Sequence, residues 1–204
     1  MHLMDQRILG IIILVLMGML VIAKRLASGS VLDKPKGNLM VQLVNIFNLF
    51  FLLVVNPVAA VLLIARRMEA GDPTRLTLDR PALLPVLEST GIVLYVAGIF
   101  LMAWALLSLG RNYQLGGTAP RDGDAMVMHG PYRLIRHPMY TAALSISCGL
   151  ACLIQSVACF SVFCIYFVLI LMLIPLEEKG LQQAYGKEYT VYRQSTAKLF
   201  PFIY

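Results

Sequence analysis

Residues 129–140 read HGPYRLIRHPMY, and they run straight into an apolar stretch that continues to residue 153. His129, Arg133, Arg136 and His137 are set among Pro131, Pro138, Tyr132 and Tyr140 at the mouth of that stretch. Ionisable groups at the entrance to hydrocarbon are costly, and such positions usually serve a function. A basic flank obeying the positive-inside tendency accounts for the arginines. It does not account for Gly-Pro-Tyr and His-Pro-Met-Tyr, which fix the backbone on both sides of them. The segment therefore reads as a ligand site built at the end of a membrane helix.

The rest of the chain has the composition this requires. Of 204 residues, 59% are hydrophobic and 14% charged, and the mean hydropathy is +0.76. A soluble domain carries about 25% charged residues, so the chain reads as an integral membrane protein of all-α class. The formal charge is +6, but the basic residues flank apolar runs instead of covering a polar face. No nucleic-acid partner is expected. Cys148, Cys152, Cys159 and Cys164 all lie inside apolar runs with no His or acid close in sequence. They read as small helix-contact residues, with neither a disulfide nor a metal.

About five spans are expected. Residues 8–23 form the first, retained because Lys24 and Arg25 follow it where a cleaved signal would have small residues. Residues 39–65 form the second, with Gln42, Asn45, Asn48 and Asn56 on about a third of its circumference. Those amides read as helix-to-helix adhesion, or as lining for a lipid's polar head. Residues 83–109 form the third, in which Gly91 and Gly98 allow another helix to approach. Residues 139–153 make a short fourth, about 22 Å at 1.5 Å per residue. Three residues later, 157–176 make the fifth, so the last two form a tight hairpin that Pro175 ends. Leu181, Tyr185, Tyr189 and Tyr192 then repeat at spacings of 4, 4 and 3, the pattern of a C-terminal amphipathic helix. Residues 1–109 are a three-span membrane region, and residues 110–204 carry the site.

With the N-terminus outside, twelve of the 17 Lys and Arg fall on the inner side and five outside: Arg7, Arg66, Arg67, Arg75 and Arg80. The bias predicts N-out, and it puts the 110–138 loop and the Glu177-Glu178 pair on one cytoplasmic face. There, salt bridging of Arg133 or Arg136 to Glu177 or Glu178 would close the bundle, and a site can be built on such pairs.

At these residues the sequence resembles the isoprenylcysteine carboxyl methyltransferases and, more distantly, the phospholipid N-methyltransferases. LGRNY, GPYRLIRHPMY, the acidic pair starting thirty-nine residues after Pro138, and YGKEYTVY followed by LFP carry the likeness over residues 109–204. The resemblance implies an S-adenosylmethionine pocket closed by the loop and the C-terminal segment. Its lining would be His137, Pro138, Met139 and Tyr140, with Tyr132 beside the adenosine. Asp124, Ala125, Met126 and Val127 would contribute mainly backbone, and Glu177 would hold the cofactor's polar end. The acceptor would be a lipophilic or lipid-linked molecule drawn from the membrane. Two departures stand out: Asp124 sits where relatives often have His, and Leu173 where prenylcysteine enzymes have a substrate-binding Arg.

An anionic acceptor head needs chiefly a cation, and Arg111 is the expected anchor, with Arg133 and Arg136 nearby. An amine acceptor would also need a base, for which His129, Glu88 and Glu178 are the candidates. Two rival functions exist. Membrane sterol reductases using NADPH share an ending like LFPFIY, yet carry Asp-Asp-Glu-His-Cys where this chain reads Pro-Leu-Glu-Glu-Lys. A non-enzymatic membrane protein would have no need for Tyr132, His137, Tyr140 and Glu177.

Overall fold

The computed structural model describes residues 3–29, 39–76, 83–113 and 124–201. The described chain is helical, with only the isolated bridges Arg75–Ser156 and Ile135–Ala197. Its helices are α1 (Gln6–Ser28), α2 (Leu39–Phe50), α3 (Asn56–Ile64), α4 (Met68–Gly71), α5 (Leu83–Leu109), α6 (Pro138–Ile154), α7 (Val157–Tyr185) and α8 (Lys187–Ser195). Four are long and apolar enough to cross a bilayer: α1, the α2–α3 unit, α5 and α7. The expected fourth span is α6, shorter at 17 residues. The apolar surface faces outward, as on α1, where Ile11, Val15, Met19, Ile22 and Leu26 are exposed while Ile13, Leu16 and Leu20 are buried. A helix apolar on all sides suits lipid outside and packing inside, and the chain is an integral membrane protein.

Helix starts and stops follow local chemistry. Asp5 caps α1 by accepting the Arg7 N–H at 2.8 Å, and Gly29 closes it in the left-handed region. Between α2 and α3, residues Phe51–Val55 form a π turn. Asn56 holds it open, its Nδ2 donating to the Phe51 carbonyl at 2.8 Å. The Asn56 Oδ1 accepts the Tyr95 hydroxyl of α5 at 2.8 Å, so this amide is the adhesion that its sequence position suggested.

The centre of the bundle is the α5–α6 contact. A Cβ on Gly149 would lie 2.6 Å from the Tyr95 backbone nitrogen, and one on Gly98 would lie 2.9 Å from that of Ile146. Such backbone-to-backbone approach is possible only with glycine. None of the 17 residues of α6 is exposed, so this short helix is sheathed by protein. At its far end Gln155 turns through the left-handed region. Ser156 then caps α7 by accepting the Cys159 N–H at 3.1 Å.

Pro175 does not end α7. The helix continues for ten residues to Tyr185, about 43 Å in all at 1.5 Å per residue. Proline deletes one ladder bond, but contacts from Glu177 and Glu178 to α6 and its approach hold the next turn. The amphipathic face is consequently split. Leu181 and Tyr185 belong to the end of α7, and Tyr189 and Tyr192 are the buried side of α8, beyond a break at Gly186.

Candidate functional site

The site forms where the N-terminus of α6 meets the end of α7. The approach to α6 is a 3-10 turn, Gly130–Arg133. Gly130 has φ +61, and a Cβ there would fall 2.2 Å from Ser108 Oγ. The glycine lets the loop lie directly on α5. His137 then stands at the N-cap and Pro138 at the first helical position, where its missing N–H is no loss.

The C-terminal segment is stitched onto this stretch. The Arg136 N–H donates to the Ala197 carbonyl at 2.8 Å, and the Ala197 N–H to Leu134 at 3.1 Å. Thr141 Oγ1 donates to the Leu199 carbonyl at 2.6 Å. The Tyr192 hydroxyl donates to the Tyr132 carbonyl at 2.7 Å. Burial pushes the Tyr192 phenol up to about 12, and it raises that of Tyr132 as well. Both remain neutral.

The two acids part company. Glu178 is buried and accepts from Arg136 Nε at 2.9 Å. Arg136 Nη1 also donates to the carbonyl of Arg193 at 2.9 Å and to that of Thr196. Arg136, expected as a cation for the acceptor, does line the cavity of the site, but its guanidinium is engaged as an internal bolt, with a side chain only 6% exposed. Glu177 faces inward to a cavity, its side chain 20% exposed. Its Oε1 accepts the Tyr140 hydroxyl at 2.8 Å.

His137 lies between both carboxylates. Its Nδ1 is 3.5 Å from Glu177 Oε2 and its Nε2 is 3.5 Å from Glu178 Oε1. Among the described residues Nε2 finds no hydrogen bond of good geometry, and the Tyr189 hydroxyl is likewise buried without one. Burial pushes the imidazole down, but hydrogen bonding and charge from Glu177 and Glu178 outweigh it, so its pKa is raised. The ring stacks on Tyr140 with centroids 5.8 Å apart.

These groups open onto a cavity of about 340 Å³, within the range of small-molecule sites. Asp124, Ala125, Met126, Val127, Tyr132, His137, Pro138, Met139, Tyr140 and Glu177 all line it. The Tyr185 hydroxyl donates to the Asp124 carbonyl at 3.2 Å, and Asn112 Nδ2 to the Ala125 carbonyl at 3.2 Å. The 124–127 strip is therefore held by its backbone from both sides.

Other expected residues lie elsewhere. Arg111 sits exposed in the short turn Gly110–Asn112 and does not line the cavity, although Asn112 and Tyr113 do. His129 is exposed and outside the cavity. Glu88 accepts the Leu3 N–H at 2.6 Å, six residues into α5 and far along it from the site. Among the described residues no cluster of His, Cys, Asp and Glu could hold a metal.

Sequence reasoning gave the N-terminal half little part in the site beyond the alternative that the α2 amides line a pocket for a lipid's polar head. From the polar end the cavity continues between helices, lined by Leu20, Val21 and Lys24 of α1, by Asn45, Phe47, Asn48, Leu49 and Phe51 of α2 and its π turn, and by Met102 and Leu106 of α5. Lys24 Nζ lies 5.2 Å from the centroid of the Tyr113 ring. No local motif marks these residues, since only the helix crossings bring them in. The tyrosines of the α7–α8 corner also line the cavity, and their 4, 4, 3 spacing was the available signal.

Comparison with known proteins places this architecture. The isoprenylcysteine O-methyltransferase A of Arabidopsis thaliana is 30% identical over 119 residues, covering 55% of this chain and 58% of that protein. A probable isoprenylcysteine O-methyltransferase of Oryza sativa subsp. indica is 31% identical over 119 residues, covering 55% and 60%. The chain thus spans somewhat over half the length of these relatives. The solved eukaryotic intramembrane Ras methyltransferase, an isoprenylcysteine carboxyl methyltransferase, shares the fold at a TM-score of 0.51 and 18% identity, covering 80% of this chain and 74% of that one. The family model described as phospholipid methyltransferase matches residues 87–188, half of the chain and the stretch from α5 through the Glu177-Glu178 pair to α8, and the chain belongs to that family.

Proposed function

We propose that this protein is an S-adenosylmethionine-dependent methyltransferase that esterifies a carboxylate carried on a lipophilic acceptor. The observation that carries the reading is the cavity itself. It joins a polar end, with Glu177, His137 and Tyr140, to an apolar branch between α1, α2 and α5. The isoprenylcysteine relatives carry an O-methyltransferase activity in their names. The family finding favours this class over a nicotinamide-dependent reductase.

The residues present suit the cofactor. Glu177 offers an accessible carboxylate for an ammonium or for ribose hydroxyls. Tyr132, Tyr140 and His137 offer flat faces for a purine, and the tyrosine faces suit a cation as well. The buried Nε2 of His137 and the Tyr189 hydroxyl are polar atoms without a partner among the described residues. S-adenosylmethionine bound there supplies an electrophilic methyl group on a sulfonium centre. The protein's part is to bind, to orient and to exclude water. The strip 124–127, clamped from Tyr185 and Asn112, forms one wall, and the stitched C-terminal segment supports the other.

An anionic acceptor fits this site better than an amine. An alkylammonium has a pKa of about 10.4 and must lose a proton before it attacks. Glu178 is bonded to Arg136 and Glu177 to Tyr140. The raised pKa of His137 favours its charged form, which cannot accept a proton. A carboxylate needs only a cation beside it; Lys24 and Arg136 line the cavity while Arg111 does not, and Arg136 is already bonded to Glu178 and the Arg193 carbonyl. We assign Lys24 to the acceptor head and place the polar end of the cavity on the cytoplasmic side, following the basic-residue bias.

The test is calorimetric titration of the purified protein with S-adenosylmethionine. Glu177→Gln should weaken binding by about 2 kcal/mol, the worth of a hydrogen bond to a charged group, while Tyr192→Phe should change it little. Equal affinity of Glu177→Gln and wild type would reject the assignment. A base-labile methyl ester on a hydrophobic acid is the expected product, and methylated amine as the main product would reject the acceptor class.

A further inference from the structure

The apolar branch of the cavity is not uniformly apolar. Tyr166 of α7 lies eleven residues before Glu177, about 16 Å of axial rise, and both line the cavity. Its hydroxyl donates to Asn48 Oδ1 of α2. Asn45, three residues earlier and on the same helix face, also lines the cavity and donates from Nδ2 to the Val41 carbonyl at 2.8 Å. Each carboxamide is therefore only half engaged. The Nδ2 of Asn48 and the Oδ1 of Asn45 have no protein partner among the described residues. The same branch of the cavity is otherwise lined by apolar side chains such as Phe47, Leu52, Met102 and Leu106.

Spare donors and acceptors at membrane depth cost free energy unless something bonds them. Adhesion of α2 to α7 needs only the Tyr166–Asn48 bond, and it explains neither spare end nor the presence of Asn45. One donor and one acceptor, side by side on a helix face, are the complement of a hydroxyl, which both accepts and donates.

We propose that Asn45 and Asn48 read a hydroxyl carried within the tail of the acceptor, so that the acceptor class is an oxygenated long-chain acid and not an unbroken hydrocarbon chain. This rests on the reading of the cavity as the acceptor's site. The position of the oxygen follows from geometry. With the reacting head at the Glu177 level, an extended chain advancing about 1.2 Å per bond reaches the Tyr166–Asn48 level after roughly thirteen bonds.

The test uses the full chain in mild detergent with three probes: stearate, 12-hydroxystearate and 3-hydroxystearate. Wild type should bind 12-hydroxystearate about tenfold more tightly than stearate, the worth of one to two hydrogen bonds. It should bind 3-hydroxystearate no better than stearate, because that hydroxyl never reaches α2. The double variant Asn45→Leu, Asn48→Leu should lose the preference, and micelle partitioning, common to both proteins, cancels in the comparison. Equal affinity of wild type for stearate and 12-hydroxystearate would overturn the proposal, as would a preference that survives in the double variant. If the double variant does not fold, the comparison of hydroxyl positions on wild type decides alone. Titration with S-adenosylmethionine is read separately. Its failure would reject the methyltransferase reading, whereas intact cofactor binding with no hydroxyl preference would reject only this inference.

Discussion

Replacing Arg136 by Met should destabilise the protein through a single uncompensated charge. Arg136 and Glu178 pair at 2.9 Å with side chains only 6% and 8% exposed, and breaking one partner of such a pair costs about 3–5 kcal/mol. His137, 3.5 Å from Glu178 Oε1, remains to offset part of that charge, which sets the expected loss near the lower bound, about 3 kcal/mol. The carbonyls of Arg193 and Thr196 lose their donor too, so the end of α8 should loosen with the pair. At about 2–4 °C per kcal/mol for a chain of this size, thermal unfolding in maltoside micelles should move down by about 6–12 °C. The double variant Arg136→Met, Glu178→Leu removes both charges, and its loss should be smaller than that of the single variant. A single variant within about 1 °C of wild type would refute the reasoning. A double variant that loses as much as the two singles combined would refute it equally.

The raised pKa of His137 makes stability pH-dependent with a definite sign. The contribution is fully present below the unfolded value of 6.5 and is lost as pH rises through the folded value above it; His137→Phe should flatten that decline in denaturation curves taken on either side of 6.5. Gly149→Val should cost about 3 kcal/mol or prevent folding, because the new side chain meets backbone of α5 that cannot give way; near-normal yield and melting would contradict the close packing. Lys24→Ala should raise the acceptor KM several-fold with cofactor affinity unchanged, and Arg111→Ala should do so less; the reverse ranking would return the anchor to Arg111. A cysteine at Arg67 should react with an impermeant thiol reagent on intact cells and one at Ser195 should not; labelling at Ser195 would invert the orientation.

The spans were legible because long apolar runs have few alternatives in a bilayer, and α5 begins and ends where its apolar run does. Pro175 was misread because the proline rule is local, whereas the turn beyond it is held by Tyr140 and Arg136, 35 or more residues away in sequence. The charges around residue 136 were visible, but not which acid each would meet. One helical position separates Glu177, open to the cavity, from Glu178, closed on Arg136. Asn45 and Asn48 stood out by their shared helix face, but the pattern left adhesion and pocket lining both open. Lys24 carried no signal as a site residue, since all three reach the cavity only through the way α1 and α2 cross α5 and α7.

The sheathing of α6 has a consequence for how the protein meets bilayers of different thickness. At 17 residues the helix is about 25 Å long, short of the roughly 30 Å hydrocarbon core. A lipid-facing helix of that length would thin the membrane or tilt to match it. With no exposed residue, α6 touches almost no lipid and is free of that adjustment. The longer α1, α5 and α7 take up the match to the surrounding acyl chains, while the floor of the pocket at His137 and Tyr140 stays fixed to α5. The site is therefore a recessed well whose depth is set by protein packing, so its geometry should be the same in short-chain and long-chain lipid.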